Sequence, residues 1–236
     1  MNIALIIAGG SGARMHQDIP KQFINVADKP VIIYTLEAFQ SHPNIDEIYV
    51  VCIDGWHDIL RAYAKQFNIT KLTSIISGGK TGQESIRNGV LEIAKTHSDE
   101  DIVLIHDAIR PMISHDIISD NICVCSEHGN AITVIPCAEA MLITNDGESS
   151  KEQENRDHLK RTQTPQAMKL GKLVKLHKDA IEKGITSSVA TCTLLIEMGE
   201  TVYFSSGSEK NIKLTTPDDI DIFKALLKSK RSEWMK

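Results

Sequence analysis

The chain lacks a Cys-x-x-Cys pair, an excess of positive charge, and any apolar run near the ~18 residues that cross a bilayer. Each absence removes a class of function. Cys52, Cys123, Cys125, Cys137 and Cys192 make 5 cysteines, an odd number at irregular spacing. That argues against a disulfide framework or a zinc site and for reduced, mostly buried thiols. A net charge of −5 supplies no overall basic field for nucleic acid or an anionic membrane. Affinity for a phosphorylated substrate must therefore come from local cations. The N-terminus enters a strand-like stretch at once, without a charged leader and cleavage site, and a cytoplasmic location is expected. Internal repeats and low-complexity segments are missing too. What remains is ordinary: 42% hydrophobic residues, ample for a core, and 24% charged residues. At 236 residues an α/β chain often stays one domain.

The organising stretch lies at the start. Ile3 to Ile7 is an apolar, β-branched run that reads as a strand buried on both faces. It breaks into Ala8-Gly9-Gly10-Ser11-Gly12-Ala13-Arg14-Met15, with Pro20-Lys21-Gln22-Phe23 following. Gly9, Gly10 and Gly12 permit positive φ and close backbone approach, so successive N–H groups can cradle phosphate oxygens. Arg14 and Lys21 add full charges. A tight strand-to-loop turn with surface cations is the plainer alternative. Two familiar glycine loops do not fit. The dinucleotide fingerprint needs a third glycine where Met15 stands, and the P-loop's Gly-Lys-Ser/Thr is absent.

Downstream, strand and helix patterns alternate. Pro30 opens a helix through Phe39; Glu47–Ile53 reads as a strand, Asp58–Phe67 as a helix, and Leu72–Ile76 as a strand. A second glycine turn, Ser77-Gly78-Gly79-Lys80-Thr81, feeds a helix through Ser85 and Ile93. Ile102–Ile105 is a strand followed by His106-Asp107-Ala108-Ile109-Arg110-Pro111; then come a helix at His115–Ser126 and a strand at Ala131–Ile135. This βαβ rhythm predicts an α/β fold of Rossmann-like type, a mainly parallel sheet with helices on both faces. Cys137–Leu159 departs from it, with a hairpin signal at Asn145-Asp146-Gly147 and a strongly polar stretch after it. So long an excursion is usually functional, although a plain surface loop fits as well. Leu170–Ile181 and Val189–Met198 read as helices, Val202–Ser205 as a strand, and Pro217–Lys228 as a closing helix. No element is assigned between Leu159 and Leu170. The motifs after the first, third and fourth long strands all fall on one sheet edge, where parallel-sheet enzymes place ligands.

These motifs carry a resemblance over nearly the whole chain. The glycine loop with Arg14 and Met15, Pro20-Lys21-Gln22, and His106-Asp107-Ala108-Ile109-Arg110-Pro111 are similar to the signatures of the cytidylyltransferase family. That family includes the 2-C-methyl-D-erythritol 4-phosphate and ribitol-5-phosphate enzymes. The resemblance implies a nucleotide-diphospho-sugar transferase fold over residues 1–236 and a dimerisation β-arm at about 137–159. It also implies attack of a phosphate monoester on the α-phosphorus of CTP. Arg14, Lys21 and Lys213 would be the catalytic cations. Ala8, Gly9, Gly10, Gly12, Gly79, Lys80, Ser85 and Asp107 would bind CTP. Asp107, Arg110, Glu139, Arg156 and Thr164 would hold the second substrate, a small polyol phosphate, and Asp107 would ligate Mg²⁺. Taken alone, Asp107 reads equally as a turn residue, His106 as packed support, Arg110 as a loop brace, and Lys213 as a solvated strand residue.

Two departures touch the second substrate. Cys137-Ala138-Glu139-Ala140 replaces an Asp-Thr pair of the methylerythritol enzymes, and Ser188-Val189-Ala190-Thr191-Cys192 replaces their Thr-Asp-Glu-Ala. Losing a hydroxyl and two carboxylates suggests another polyol phosphate, with D-ribitol 5-phosphate leading and methylerythritol phosphate the alternative. A sugar-1-phosphate nucleotidyltransferase and an inactive nucleotide-binding regulator are the remaining readings.

Overall fold

The strand β1 (Asn2–Ala8) begins at the second residue and is covered on both sides, as its unbroken apolar run requires. The computed structural model describes residues 1–10 and 19–233. A short 3-10 turn (Lys21–Phe23) and the two-residue strands β2 (Asn25–Val26) and β3 (Lys29–Pro30) lead into α1 (Val31–Ser41). Pro30 directly precedes α1, where its missing N–H leaves no helix bond unmade. The alternation continues with β4 (Glu47–Cys52), α2 (His57–Gln66), β5 (Leu72–Ser77) and α3 (Gly82–Ile93). It then runs through β6 (Ile102–Asp107), α4 (His115–His128) and β7 (Asn130–Pro136). Thr81 and Ser114 cap α3 and α4 by accepting the N–H groups of Glu84 and Ile117. Gly129 stops α4 at φ 86°, a left-handed turn that costs glycine little.

After β7 the chain forms the expected arm. β8 (Met141–Ile143) pairs antiparallel with β9 (Glu152–Glu154), and every residue of both strands is exposed. The connecting loop closes around Asp146. Its carboxylate accepts the N–H groups of Ser149 and Glu148 and the hydroxyls of Ser149 and Thr144, which holds its pKa well below the usual range. A 3-10 turn (Arg156–His158) then leads into β10 (Lys160–Lys169), α5 (Leu170–Glu182), α6 (Thr191–Glu197), β11 (Phe204–Ser206) and α7 (Pro217–Glu233).

Seven of these strands form a sheet in the order β11-β7-β10-β6-β1-β4-β5. The β1–β4, β1–β6, β4–β5 and β7–β11 pairs are parallel, and β10 runs antiparallel to both β6 and β7. β10 is the element without a sequence assignment. Its polar run and internal Pro165 read against a central strand. The chain accommodates them where the β10–β7 register shifts, between Thr162 and Gln166, a stretch containing the cis Thr164–Pro165 bond. The fourth long strand also runs further than expected, so His106 and Asp107 are its last two residues instead of the start of the next loop.

β1 divides the core between two faces. Ala4, Ile6 and Ala8 join Ile32, Leu60 and Ile118 from α1, α2 and α4, whereas Ile3 and Leu5 join Val90, Leu173 and Leu194 from α3, α5 and α6. Each fully buried Ile or Leu contributes about 1.5–3 kcal/mol. α3 sits so close to the sheet that a Cβ on Gly89 would lie 2.5 Å from a Leu5 methyl and 2.9 Å from Val51. This close seat brings the start of α3, with Ser85, up to the edge where β1 and β6 end.

Candidate active site

Two glycine loops meet at that edge. The first follows β1 and the second follows β5, and a Cβ on Gly9 or Gly78 would lie 3.4 or 3.5 Å from Ser85 Oγ. The sequence suggested left-handed backbone at the first loop, but neither Gly9 nor Gly10 has positive φ. The loop is pinned another way. Gln22 is buried, and its Nε2 donates to Ala8 O at 2.7 Å and Gly10 O at 3.1 Å. A Cβ on Gly10 would meet nothing within 4 Å among the described residues. In the second loop the Ser85 hydroxyl accepts the Gly79 N–H and donates to Thr81 O, both at 2.9 Å. The Lys80 N–H donates to Glu84 Oε2 at 2.7 Å. Gly12 and Arg14 lie outside the described residues.

Asp107 ends β6 at the centre of the site. Lys213 Nζ lies 3.2 Å from its Oδ1 and 3.1 Å from its Oδ2, and Arg110 Nε lies 3.1 Å from Oδ2. Burial alone would raise this carboxyl's pKa, but the charges of Lys213 and Arg110 hold it below the usual range. Asp107 is therefore ionised at neutral pH. Arg110 is buried and also donates to Asn211 O at 2.7 Å, so in this arrangement it braces the loops. His106 is fully buried; its ring nitrogens meet Arg110 O at 3.3 Å and Thr164 Oγ1 at 3.0 Å. Burial pushes its pKa down to about 4, which leaves it a neutral support.

Lys213 is distant in sequence and sits in an irregular stretch before α7, not in a strand. Buried Asn211 fixes that stretch by donating Nδ2 to Thr164 O at 2.9 Å and Gln163 Oε1 at 3.2 Å, while the Leu214 N–H donates to Ile109 O at 2.9 Å. Thr164 Oγ1 in turn accepts the Asp107 N–H at 3.1 Å. Sequence reading assigned no role to Gln22, Asn211 or Gln163. Buried polar side chains have no local sequence signature, although Gln22 and Asn211 each lie within two residues of a suspected cation.

Two adjoining cavities open here. The first, about 400 Å³, is lined by Gly9, Gly10, Lys21, Gly79, Lys80 and Ser85, among others. The second, about 350 Å³, takes in Arg110, Thr162, Thr164, Gln166 and Thr191. Ile7, Gly82, Asp107 and Lys213 line both. Lys21, Lys80, Arg110 and Lys213 are their permanent cations, against the single carboxylate of Asp107, among the described residues. This is the local positive field that a chain of net charge −5 needs to hold phosphates. Two expected residues stay outside. Glu139 is exposed and lies 3.6 Å from Arg161, and Arg156 donates to Ala138 O at 2.8 Å on the arm; neither lines either of these two cavities. Both belong to the segment between β7 and β10 that carries the arm.

Among the described residues no cluster of three or more metal-ligating side chains occurs, and no helix is long and apolar enough to cross a membrane. One ionised carboxylate beside a phosphate-sized opening suits a hard divalent cation that phosphate oxygens and water also ligate.

The relatives agree on one chemistry. The chain is 44% identical to a ribitol-5-phosphate cytidylyltransferase of Lacticaseibacillus paracasei over 98% of this chain and 99% of that protein. It is 34% identical to a 2-C-methyl-D-erythritol 4-phosphate cytidylyltransferase of Clostridium botulinum over 96% of this chain and 97% of that one. The crystal structure of 4-diphosphocytidyl-2C-methyl-D-erythritol synthase from Anaerococcus prevotii superposes with a TM-score of 0.81 at 25% identity, covering 96% of each chain. A sequence model of the 2-C-methyl-D-erythritol 4-phosphate cytidylyltransferase (IspD) family matches residues 2–229, and the chain belongs to that family of nucleotidyltransferases.

Proposed function

We propose that the chain transfers CMP from CTP to D-ribitol 5-phosphate, giving CDP-ribitol and pyrophosphate. The observation that carries this reading is the sharing of Asp107 and Lys213 by two cavities, which suits two phosphates brought together at one charged point. In it, CTP occupies the first cavity, with the base against the glycine loops and the α-phosphate beside Lys213. The acceptor occupies the second, its phosphate near Thr164 and Arg110. A phosphate-monoester oxygen attacks the α-phosphorus, the bond to the bridging β-phosphate oxygen breaks, and pyrophosphate leaves. The nucleophile is already anionic, so no general base is required. Lys21 and Lys213, with Arg14 beyond the described residues, hold the phosphates in line and offset the developing charge. Mg²⁺, held by Asp107 and phosphate oxygens, would supply further charge neutralisation.

Ribitol is favoured over methylerythritol by the relatives' identities of 44% and 34%. The arm supports a homodimer: Met141, Leu142 and Ile143 expose 43%, 67% and 43% of their surface on one strand. In such a dimer Arg156 would reach the neighbouring subunit's acceptor. The five unpaired cysteines, four of them buried, suit the reducing cytoplasm.

The test is pyrophosphate release from CTP and Mg²⁺ with D-ribitol 5-phosphate and 2-C-methyl-D-erythritol 4-phosphate offered in parallel. Turnover of ribitol phosphate is expected. Turnover of the methylerythritol compound alone would move the chain to isoprenoid synthesis, and turnover of neither would leave only nucleotide binding. Light scattering at micromolar concentration should show a dimer; a monomer would contradict the arm's role.

A further inference from the structure

Nearly every polar side chain lining the acceptor cavity is already bonded to the protein. Asp107, Arg110 and Lys213 hold one another, and His106 meets Thr164 and Arg110. Gln163 is bonded to Ser208 and Asn211, and Gln166 to Gln163 and Cys192. The exceptions are the hydroxyls of Thr162 and Thr191, which have no hydrogen-bond partner among the described residues. Thr191 is 5% exposed, yet its hydroxyl oxygen keeps solvent contact. Thr191 also lines the acceptor cavity.

The position of Thr191 is also fixed from both sides. The Cys192 N–H donates to Gln166 Oε1 at 2.9 Å, tying the start of α6 to β10. The Ala190 N–H donates to Thr193 Oγ1 at 3.0 Å. A β-branched side chain on such a backbone has few rotamers to lose on binding. The wall around it contains apolar Ile86, Ile105, Val189 and Ala190, where a substrate hydroxyl finds few alternative partners.

We infer that Thr191, with Thr162 in support, determines acceptor specificity by hydrogen-bonding the polyol hydroxyls of the substrate. This rests on the proposed reading that the cavity takes a polyol phosphate. A site built to bond a hydroxyl discriminates strongly against an analogue lacking it.

The experiment compares wild-type, Thr191→Val and Thr191→Ser on the full chain, with CTP, Mg²⁺ and whichever of the two polyol phosphates wild-type turns over, plus its single-deoxy analogues. Thr191→Val should raise the acceptor KM about 10-fold while leaving the CTP KM unchanged, and Thr191→Ser should restore most of the loss. One deoxy analogue should lose its handicap in Thr191→Val, because the bond is absent from both. An unchanged acceptor KM in folded Thr191→Val, or a shift in the CTP KM alone, overturns the inference. Should Thr191→Val fail to fold, Thr191→Ala, which also lacks the hydroxyl, is read by the same criteria. Wild-type turnover of methylerythritol phosphate alone would refute the proposed acceptor and leave the Thr191 comparison readable on that polyol. A wild-type that turns over neither overturns both.

Discussion

The first cavity is lined by Gly9, Gly10 and Gly79, from the loops that follow β1 and β5, beside Lys21, Lys80 and Ser85. The second shares Gly82 with the first but has none of those three glycines, and its lining includes residues of β10, the start of α6 and the end of β6. The difference is one of recognition chemistry. A backbone surface can read a small planar base with its N–H and C=O groups and needs glycine to let the ligand near. A flexible polyol has no plane to read, and side-chain hydroxyls and cations have to meet it. The first cavity should therefore tolerate side-chain changes that the second does not, except where a full charge is involved.

The largest expected effect falls on that exception. Lys21→Ala should lower kcat by about 10²–10³, or 3–4 kcal/mol. Near-normal turnover would break the charge-clamp account. Arg110 bonds to Asp107 and to Asn211 O, so its loss also touches the fold. Arg110→Ala should cost about 2–3 kcal/mol of stability in urea unfolding, by unmaking its bonds to Asp107 and Asn211. A variant as stable as wild-type would show that Arg110 serves the substrate and not the loops.

Two smaller substitutions sharpen the contrast between the cavities. Thr164→Val leaves the Asp107 N–H without its partner and should cost about 1–3 kcal/mol in kcat/KM for the acceptor, with the CTP KM within about 2-fold of wild-type. Ser85→Ala frees the Gly79 N–H and should weaken CTP by about 1 kcal/mol, leaving the acceptor KM alone. If these two effects fall on the opposite substrates, the assignment of the cavities is reversed.

His177 serves as the control outside both cavities. It is 3% exposed, its ring nitrogens have no hydrogen-bond partner among the described residues, and burial, aided by Arg87, pushes its pKa down to about 4. His106 is pushed to about 4 as well. Between pH 6.5 and 4 the unfolded chain binds the protons these two rings refuse, so stability falls as pH drops through that window. Asp107, already held below its usual range, adds its own loss only at lower pH. His177→Leu should change stability by less than about 1 kcal/mol at pH 7 and flatten the acid slope, with both KM values untouched. An unaltered slope would show that His177 does not titrate in this way.

The same contrast explains what could be read from the sequence. β1, β4 and β6 announce themselves because strands buried on both faces must be apolar runs, while edge strand β5 is only partly buried and shows as a short apolar stretch. The glycines and Asp107 that line the first cavity lie at or just beyond the ends of these strands. β10 stayed hidden because its residues face the second cavity and a polar network, and because Pro165 sits in a central strand at a register shift. Asn211 and Gln163 matter through bonds to residues some 50 to 100 positions away, which no local pattern encodes. Lys213 was placed by resemblance alone. The bond from Leu214 to Ile109 shows how the fold brings it to Asp107.

The central claim is that Lys213 and Asp107 mark the point where the two phosphates meet. A crystal structure with CTP, Mg²⁺ and a non-reacting acceptor analogue tests it most directly. The account predicts the base against Gly9 and Gly79, the α-phosphate in contact with Lys213 Nζ, and the acceptor phosphate on the Thr164 side of Asp107. An α-phosphate bound away from Lys213, or both ligands in one cavity, would contradict it.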